Sequence, residues 1–182
     1  MTERVYLIHW YGPFSSVEEL ESWEKEQSFI CNLYLFQGKL KYGRFMKYYC
    51  GMTYEQNGVY ARMKNKDHHI HEVERRPETI AIYVGEIANV MEPDKDDVRL
   101  CEKLLTSILA KFVKCEKEVI NKTNKKPPKR NVYIINEWYD KSLNEIIQHK
   151  GEIPHFVPDL IEFFSATRSV YSVNRIKYKG QL

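Results

Sequence analysis

The chain has 182 residues, 43% hydrophobic and 13% aromatic, with a formal net charge of +3. Those figures exclude general disorder and suffice for one domain with an elaboration and a substantial core. No apolar run reaches membrane-span length and the N-terminus lacks a signal-peptide stretch, so a cytoplasmic protein without a membrane partner is expected.

Taken in chain order, residues 5–10 (Val-Tyr-Leu-Ile-His-Trp) read as a strand that Gly12-Pro13 breaks. Ser15 or Ser16 then caps a helix whose first turns are acidic, where the helix dipole favours them. Residues 30–36 and 45–50 read as two strands of a loose hairpin, with a turn starting at Gln37-Gly38. Residues 59–66 read as a short helix and 79–87 as the clearest strand. Pro93-Asp94 opens an amphipathic helix over 95–118, with Cys101, Leu104, Leu105, Ile108, Phe112 and Cys115 at helical spacing. A basic loop spans 121–131, followed by a strand at 132–138, a helix at 142–150, a helix at 158–164 and a final strand near 170–178. The cysteines Cys31, Cys50, Cys101 and Cys115 form no C-x-x-C pair, which favours free thiols.

The small net charge hides segregated blocks. Residues 1–28 hold six acids against two bases, whereas 38–66 hold seven bases against Glu55 alone. Residues 67–102 are acidic again, and 103–182 carry fifteen bases against eight acids. Blocks of this size suggest a basic face, and a phosphate backbone is the commonest partner for one. The alternative is a solvated surface whose blocks never align.

Glu102 shares a helical face with Val98, Leu105 and Leu109, beside the main apolar stripe. A carboxylate there needs a cation, a hydrogen bond or a metal, unless it simply reaches water or pairs with Arg99. Upstream stand Asn32-Leu33-Tyr34, Tyr49-Cys50-Gly51 and Arg62, and Ile120-Asn121-Lys122 follows the helix. In this order, over residues 29–124, the chain resembles the GIY-YIG nucleases. Asn32 replaces the first glycine of their pattern, Cys50 takes the central apolar slot, and Lys66 stands where a histidine is common, with His68 and His69 just beyond.

The resemblance implies an α+β fold, a three-stranded antiparallel core sheet flanked by helices, with additions at 1–28 and 125–182. It implies phosphodiester hydrolysis in DNA. Tyr34 by preference, or Tyr49, would help deprotonate the attacking water, with Arg62, Lys66 or a metal lowering the phenol's pKa. Arg62 would contact the phosphate, Glu102 would hold Mg²⁺ or another divalent cation such as Mn²⁺, Lys66 or His69 would assist, and Asn121 would support. Candidate nucleic-acid contacts are Lys39, Lys41, Arg44, Lys47, Lys64, Asn121, Lys122, Lys125, Lys126, Lys129 and Arg130. In the C-terminal extension Tyr133, Trp138, Tyr139, Arg168, Arg175, Lys177 and Lys179 are recognition candidates.

His68, His69 and His71 lie too close together on one segment to converge readily on zinc, so a solvated or DNA-facing role is expected for them. Two other functions compete with DNA cleavage: an inactive nucleic-acid-binding module of the same fold, and a nuclease directed at RNA. A homodimer would suit cleavage of both strands of a palindrome.

Overall fold

Alternation along the first strand decides the architecture. In β1 (Arg4–Phe14), Tyr6, Ile8 and Trp10 are buried on one face. The strand runs on through Gly12-Pro13, contrary to the expected break. That peptide is cis, and the register against its neighbour shifts between Tyr11 and Phe14, a bulge that absorbs the proline. The computed structural model describes residues 3–40, 42–54, 58–73, 76–112, 118–123, 126–146, 154 and 156–173. Expectations for Lys41, Cys115, Lys125, residues 147–150, Arg175, Lys177 and Lys179 lie outside the described residues.

Helix α1 (Val17–Glu26) starts where Ser16 accepts the N–H of Glu19 at 3.1 Å, and the Glu19 carboxylate accepts from Ser15. β2 (Leu33–Lys39) and β3 (Met46–Met52) form the expected antiparallel hairpin. Short helices α2 (Gly58–Met63) and α3 (Ile70–Val73) and a 3₁₀ turn (Pro77–Thr79) lead to β4 (Ala81–Ile87). Asp94 then accepts the N–H groups of Asp96 and Asp97 and opens α4 (Lys95–Phe112). β5 (Val132–Tyr139), β6 (Leu160–Phe164) and β7 (Ser169–Val173) complete the chain of elements.

The fold is α+β, with one mixed seven-stranded sheet in the order β3-β2-β4-β1-β5-β6-β7. The three antiparallel strands expected from the sequence are present as β3-β2-β4, but they are not a separate core sheet. β1 pairs antiparallel with β4 and parallel with β5, so the sheet runs on from residues 29–124 into the segments on either side. The reason is the exposed ladder that β4 would otherwise present as an edge.

Two further expectations are overturned. Residues 160–164 form β6, not a helix, because Ile161 and Phe163 alternate into the core against Ile134 and Val132. No helix occupies 142–146 either: Leu143 has φ 65°, Glu145 bridges Tyr139, and the N–H of Ile146 bonds the Trp138 carbonyl.

Both sheet faces are covered over β3, β2 and β4. One face packs Leu33, Leu35, Cys50 and Tyr83 against Cys101, Leu104, Leu105 and Ile108 of α4. The other packs Tyr34, Phe36, Ile82 and Val84 against α1, α2 and α3 through Leu20, Val59, Met63 and Ile70. No described helix is long and apolar enough to cross a membrane.

Candidate active site

The hairpin register sets the site. Tyr34 faces Gly51 across the ladder and Phe36 faces Tyr49, so their side chains share the face covered by α1–α3. The Tyr34 and Tyr49 rings stack at 5.9 Å, and Phe36 lies 5.1 Å from Tyr49. A Cβ at position 51 would sit 2.3 Å from Cζ and 2.4 Å from the hydroxyl oxygen of Tyr34. The phenol therefore lies directly on the backbone of Gly51. That close approach is why glycine ends the Tyr49-Cys50-Gly51 motif.

Behind Tyr34 stands His68. Its Nε2 is 2.9 Å from the Tyr34 hydroxyl, while its Nδ1 accepts the N–H of Ile70 at 3.1 Å. An Nδ1 that accepts leaves the neutral ring's proton on Nε2, which must donate to the Tyr34 oxygen. The Tyr34 and Tyr49 hydroxyls also act on one another, raising the Tyr34 pKa and lowering that of Tyr49, the sense in which Tyr34 is the donor. The chain thus runs from His68 through Tyr34 to Tyr49. Burial drives the His68 pKa down to about 3, helped by the positive charge of Arg62 and by His69 and His71. The ring is neutral at physiological pH.

Burial pushes the Tyr34 phenol well above its ordinary value, and Tyr49 adds to the rise while Arg62 opposes it. Burial raises Tyr49 too; the Tyr34 hydrogen bond lowers it, Cys50 and Glu102 raise it, and Arg62 lowers it. Both phenols therefore move upward, against the expectation that nearby cations would bring them down: desolvation outweighs Arg62. Lys66 is exposed, and no described contact joins it to either phenol. His69 lies 5.3 Å from the Tyr49 ring, with Nδ1 2.8 Å from a Glu72 carboxylate oxygen.

Arg62 sits on α2, which is held from the N-terminal segment. The Glu24 carboxylate accepts the N–H groups of Val59 and Tyr60 at 3.0 and 2.7 Å, capping α2 from another element. Gly58, with φ 83°, has no room for a Cβ beside that carboxylate. Glu21 pairs with Lys64, the residue that follows α2.

Glu102 comes from α4, which packs on the opposite face of β3. Its side chain is buried, Thr106 donates to Oε1 at 3.3 Å, and its carbonyl accepts from Cys50 Sγ at 4.0 Å. Although the carboxylate and the phenols start from opposite faces, the charge of Glu102 acts on Tyr49. Asn121 closes the outer edge of β3: its Oδ1 accepts the Cys50 N–H at 3.1 Å and its Nδ2 donates to the Cys50 carbonyl at 2.6 Å.

Among the described residues no group of three His, Cys, Asp or Glu is placed to hold a metal ion. One buried carboxylate does not make a closed zinc or calcium cage. It does suit Mg²⁺, which keeps waters and takes one or two carboxylates beside substrate phosphates.

Ring contacts join Tyr34, Tyr49 and His69, and the charge of Arg62 acts on both phenols. Glu102 acts on Tyr49 by charge alone, from the opposite face of the sheet, and Lys66 lines a pocket with His68. His68, expected to be solvated or DNA-facing, is buried instead, because it precedes the apolar Ile70 and Val73 that dock α3 on the sheet. Adjacent histidines offered no means of telling which turns inward. Asn121 is committed to the Cys50 backbone and Lys64 to Glu21. Trp138 is a core residue, stacked on Trp10 at 5.7 Å and bonded to Asp159. Tyr139 is half-buried beside Tyr11, and Tyr133 reaches Glu3. Arg44, Lys122, Lys126, Lys129, Arg130 and Arg168 are exposed, and Lys39 and Lys47 half-exposed. Cys31, Cys50 and Cys101 are free thiols.

No family model matches the chain, and no curated protein or solved structure matches it significantly.

Proposed function

We propose that this chain is a metal-dependent endonuclease that hydrolyses phosphodiester bonds in DNA, as its resemblance to the GIY-YIG nucleases suggests. The observation that carries the reading is the hydrogen-bond chain His68–Tyr34–Tyr49, ending on a half-buried phenol that feels both Arg62 and Glu102. In this reading Tyr49, not the fully buried Tyr34, accepts the proton of the attacking water, since only Tyr49 retains access to solvent. Tyr34 stabilises the Tyr49 phenolate by donating to it, and His68 holds Tyr34 in the donating orientation. Arg62 offsets the charge growing on the phosphate. A divalent ion held by Glu102, Mg²⁺ or Mn²⁺, would supply Lewis-acid stabilisation of the phosphoryl and leaving oxygens.

A second reading, a nucleic-acid-binding module without turnover, is favoured by the upward shift of both phenols and by the origin of Glu102 on the far face of β3. An RNA-directed nuclease uses the same chemistry on another backbone. Incubation of purified protein with supercoiled plasmid and with a labelled RNA, with and without Mg²⁺, separates these readings. Plasmid nicking that disappears without metal and in Glu102→Gln supports the endonuclease. Binding without cleavage supports the module, and RNA cleavage alone supports the third reading. Equal cutting by wild type and Glu102→Gln removes Glu102 from the site.

A further inference from the structure

On the far flank of α4, one residue along from Glu102, Lys103 lines an open groove of about 520 Å³. Lys126, Lys129 and Arg168 line it with Lys103, and Pro127, Pro128 and Ser165 complete the wall. No lining residue is acidic, and no ion pair within the described residues engages any of the four cations. Consecutive helical positions are about 100° apart, so Glu102 turns toward β3 while Lys103 turns toward the loop before β5 and the β6–β7 turn.

The groove is built rather than incidental. Asn131 Oδ1 accepts both the backbone N–H of Ser165, at 2.9 Å, and its hydroxyl, at 3.0 Å. That bond ties the end of the basic loop to the β6–β7 turn. Pro128 is buried and anchors the loop between the exposed Lys126 and Lys129. Arg168 has φ 52°, a left-handed conformation at the tip of the β6–β7 turn. Cations from three chain segments are therefore brought to one groove.

We infer that this groove binds the phosphate backbone of nucleic acid, as a positioning subsite that guides the strand past α4. The inference rests on the nucleic-acid reading of the site above. Four like charges left unpaired beside one another repel, and a polyanion relieves that repulsion while releasing its own counterions. Cations drawn from α4, the loop and the β6–β7 turn suit a chain of phosphates, whose successive charges can meet each segment in turn. Lysine and arginine contacts of this kind fix register without reading bases.

The test measures binding, not turnover. A labelled DNA duplex is titrated with Glu102→Gln protein, without metal, at salt concentrations from about 50 to 200 mM. The same titration uses Glu102→Gln carrying Lys103→Ala, Lys126→Ala, Lys129→Ala and Arg168→Ala, and the four single alanine variants in the same background. Each cation on a phosphate contributes about 0.9 to the slope of log affinity against log salt. The expected result is a slope shallower by about one in each single variant and by roughly three to four in the combined one. An unchanged slope in the single variants, or no duplex binding by Glu102→Gln at the lowest salt, overturns the inference. Metal-dependent cleavage by wild type with unchanged slopes removes the groove and leaves the nuclease. Shallower slopes without wild-type cleavage do the reverse.

Discussion

Replacing Gly51 with alanine adds one methyl group at the point where the Tyr34 phenol rests on β3. The new Cβ would stand 2.3, 2.4 and 2.6 Å from Cζ, Oη and Cε2 of Tyr34. Comfortable carbon contacts begin near roughly 3.5 Å, so the ring must retreat by about 1 Å. Its hydroxyl is 2.9 Å from His68 Nε2, and a displacement of that size, toward the imidazole or away from it, spoils the hydrogen bond. Overpacking of this kind costs about 1–3 kcal/mol, and a buried polar group left unsatisfied costs a further ~1–3 kcal/mol. Gly51→Ala should therefore lose about 2–6 kcal/mol in urea unfolding, with the midpoint temperature lower by roughly 4–24 °C. A double-mutant cycle isolates the cause. In a Tyr34→Leu background, which withdraws the phenol, the same alanine should cost less than about 1 kcal/mol. If cleavage depends on the hydrogen-bond chain, Gly51→Ala should also lower kcat about 100-fold, as a 1 Å misplacement does. Equal costs in both backgrounds, or a Gly51→Ala protein as stable as wild type, would show that Tyr34 does not lie over Gly51.

The remaining expectations concern the same neighbourhood. Tyr49→Phe should lower the cleavage rate by at least about 100-fold and Tyr34→Phe by less, because only the former removes the accepting oxygen; the reverse order in single-turnover assays would move the base to Tyr34. Because burial raises the Tyr49 pKa, its phenolate is scarce at neutral pH. The rate should climb about tenfold per pH unit between pH 6 and 9, and a flat profile would remove phenolate catalysis. Burial raises the Glu24 carboxyl from its ordinary 4.5 to about 7, outweighing the hydrogen bonds from Tyr60 and Val59 that lower it. An acid with a raised pKa stabilises the fold most when protonated, so this contribution is complete below pH 4.5 and lost as pH rises through 7. Wild-type stability relative to Glu24→Gln should thus fall across that window in urea melts; a constant difference would place the carboxylate in water. Asn121→Ala leaves the Cys50 N–H and carbonyl without their partner and should cost about 1–3 kcal/mol, read by the same melts.

Local signals in the chain were enough for the elements whose periodicity is strong. Ser15 or Ser16 before an acidic first turn announced α1, Pro93-Asp94 announced α4, and the β-branched runs announced β1, β4 and β5. Short apolar segments were ambiguous. Leu160–Phe164 follows a proline and an aspartate as a helix might, yet becomes β6 because β5 offers it an open ladder and a buried face. Gly12-Pro13 looked like a strand end, but pairing with β4 carries β1 through a bulge. In both cases a partner distant in sequence decides, and no window of neighbouring residues contains it.

The candidate site divides along the same line. Their order along the chain nominated Tyr34, Tyr49, Arg62 and Glu102 through the resemblance to the GIY-YIG nucleases, which rests on residue types and not on packing. Only the folded arrangement chose His68 over its neighbours, turned the hydrogen bonds toward Tyr49, and laid Tyr34 on a bare glycine. It also brought Lys103 and Arg168 beside a loop they are not adjacent to. Composition and spacing determine what a side chain can do. Which atoms it meets, and how far water is excluded from them, depends on contacts between segments tens of residues apart, and those exist only once the sheet has closed around them.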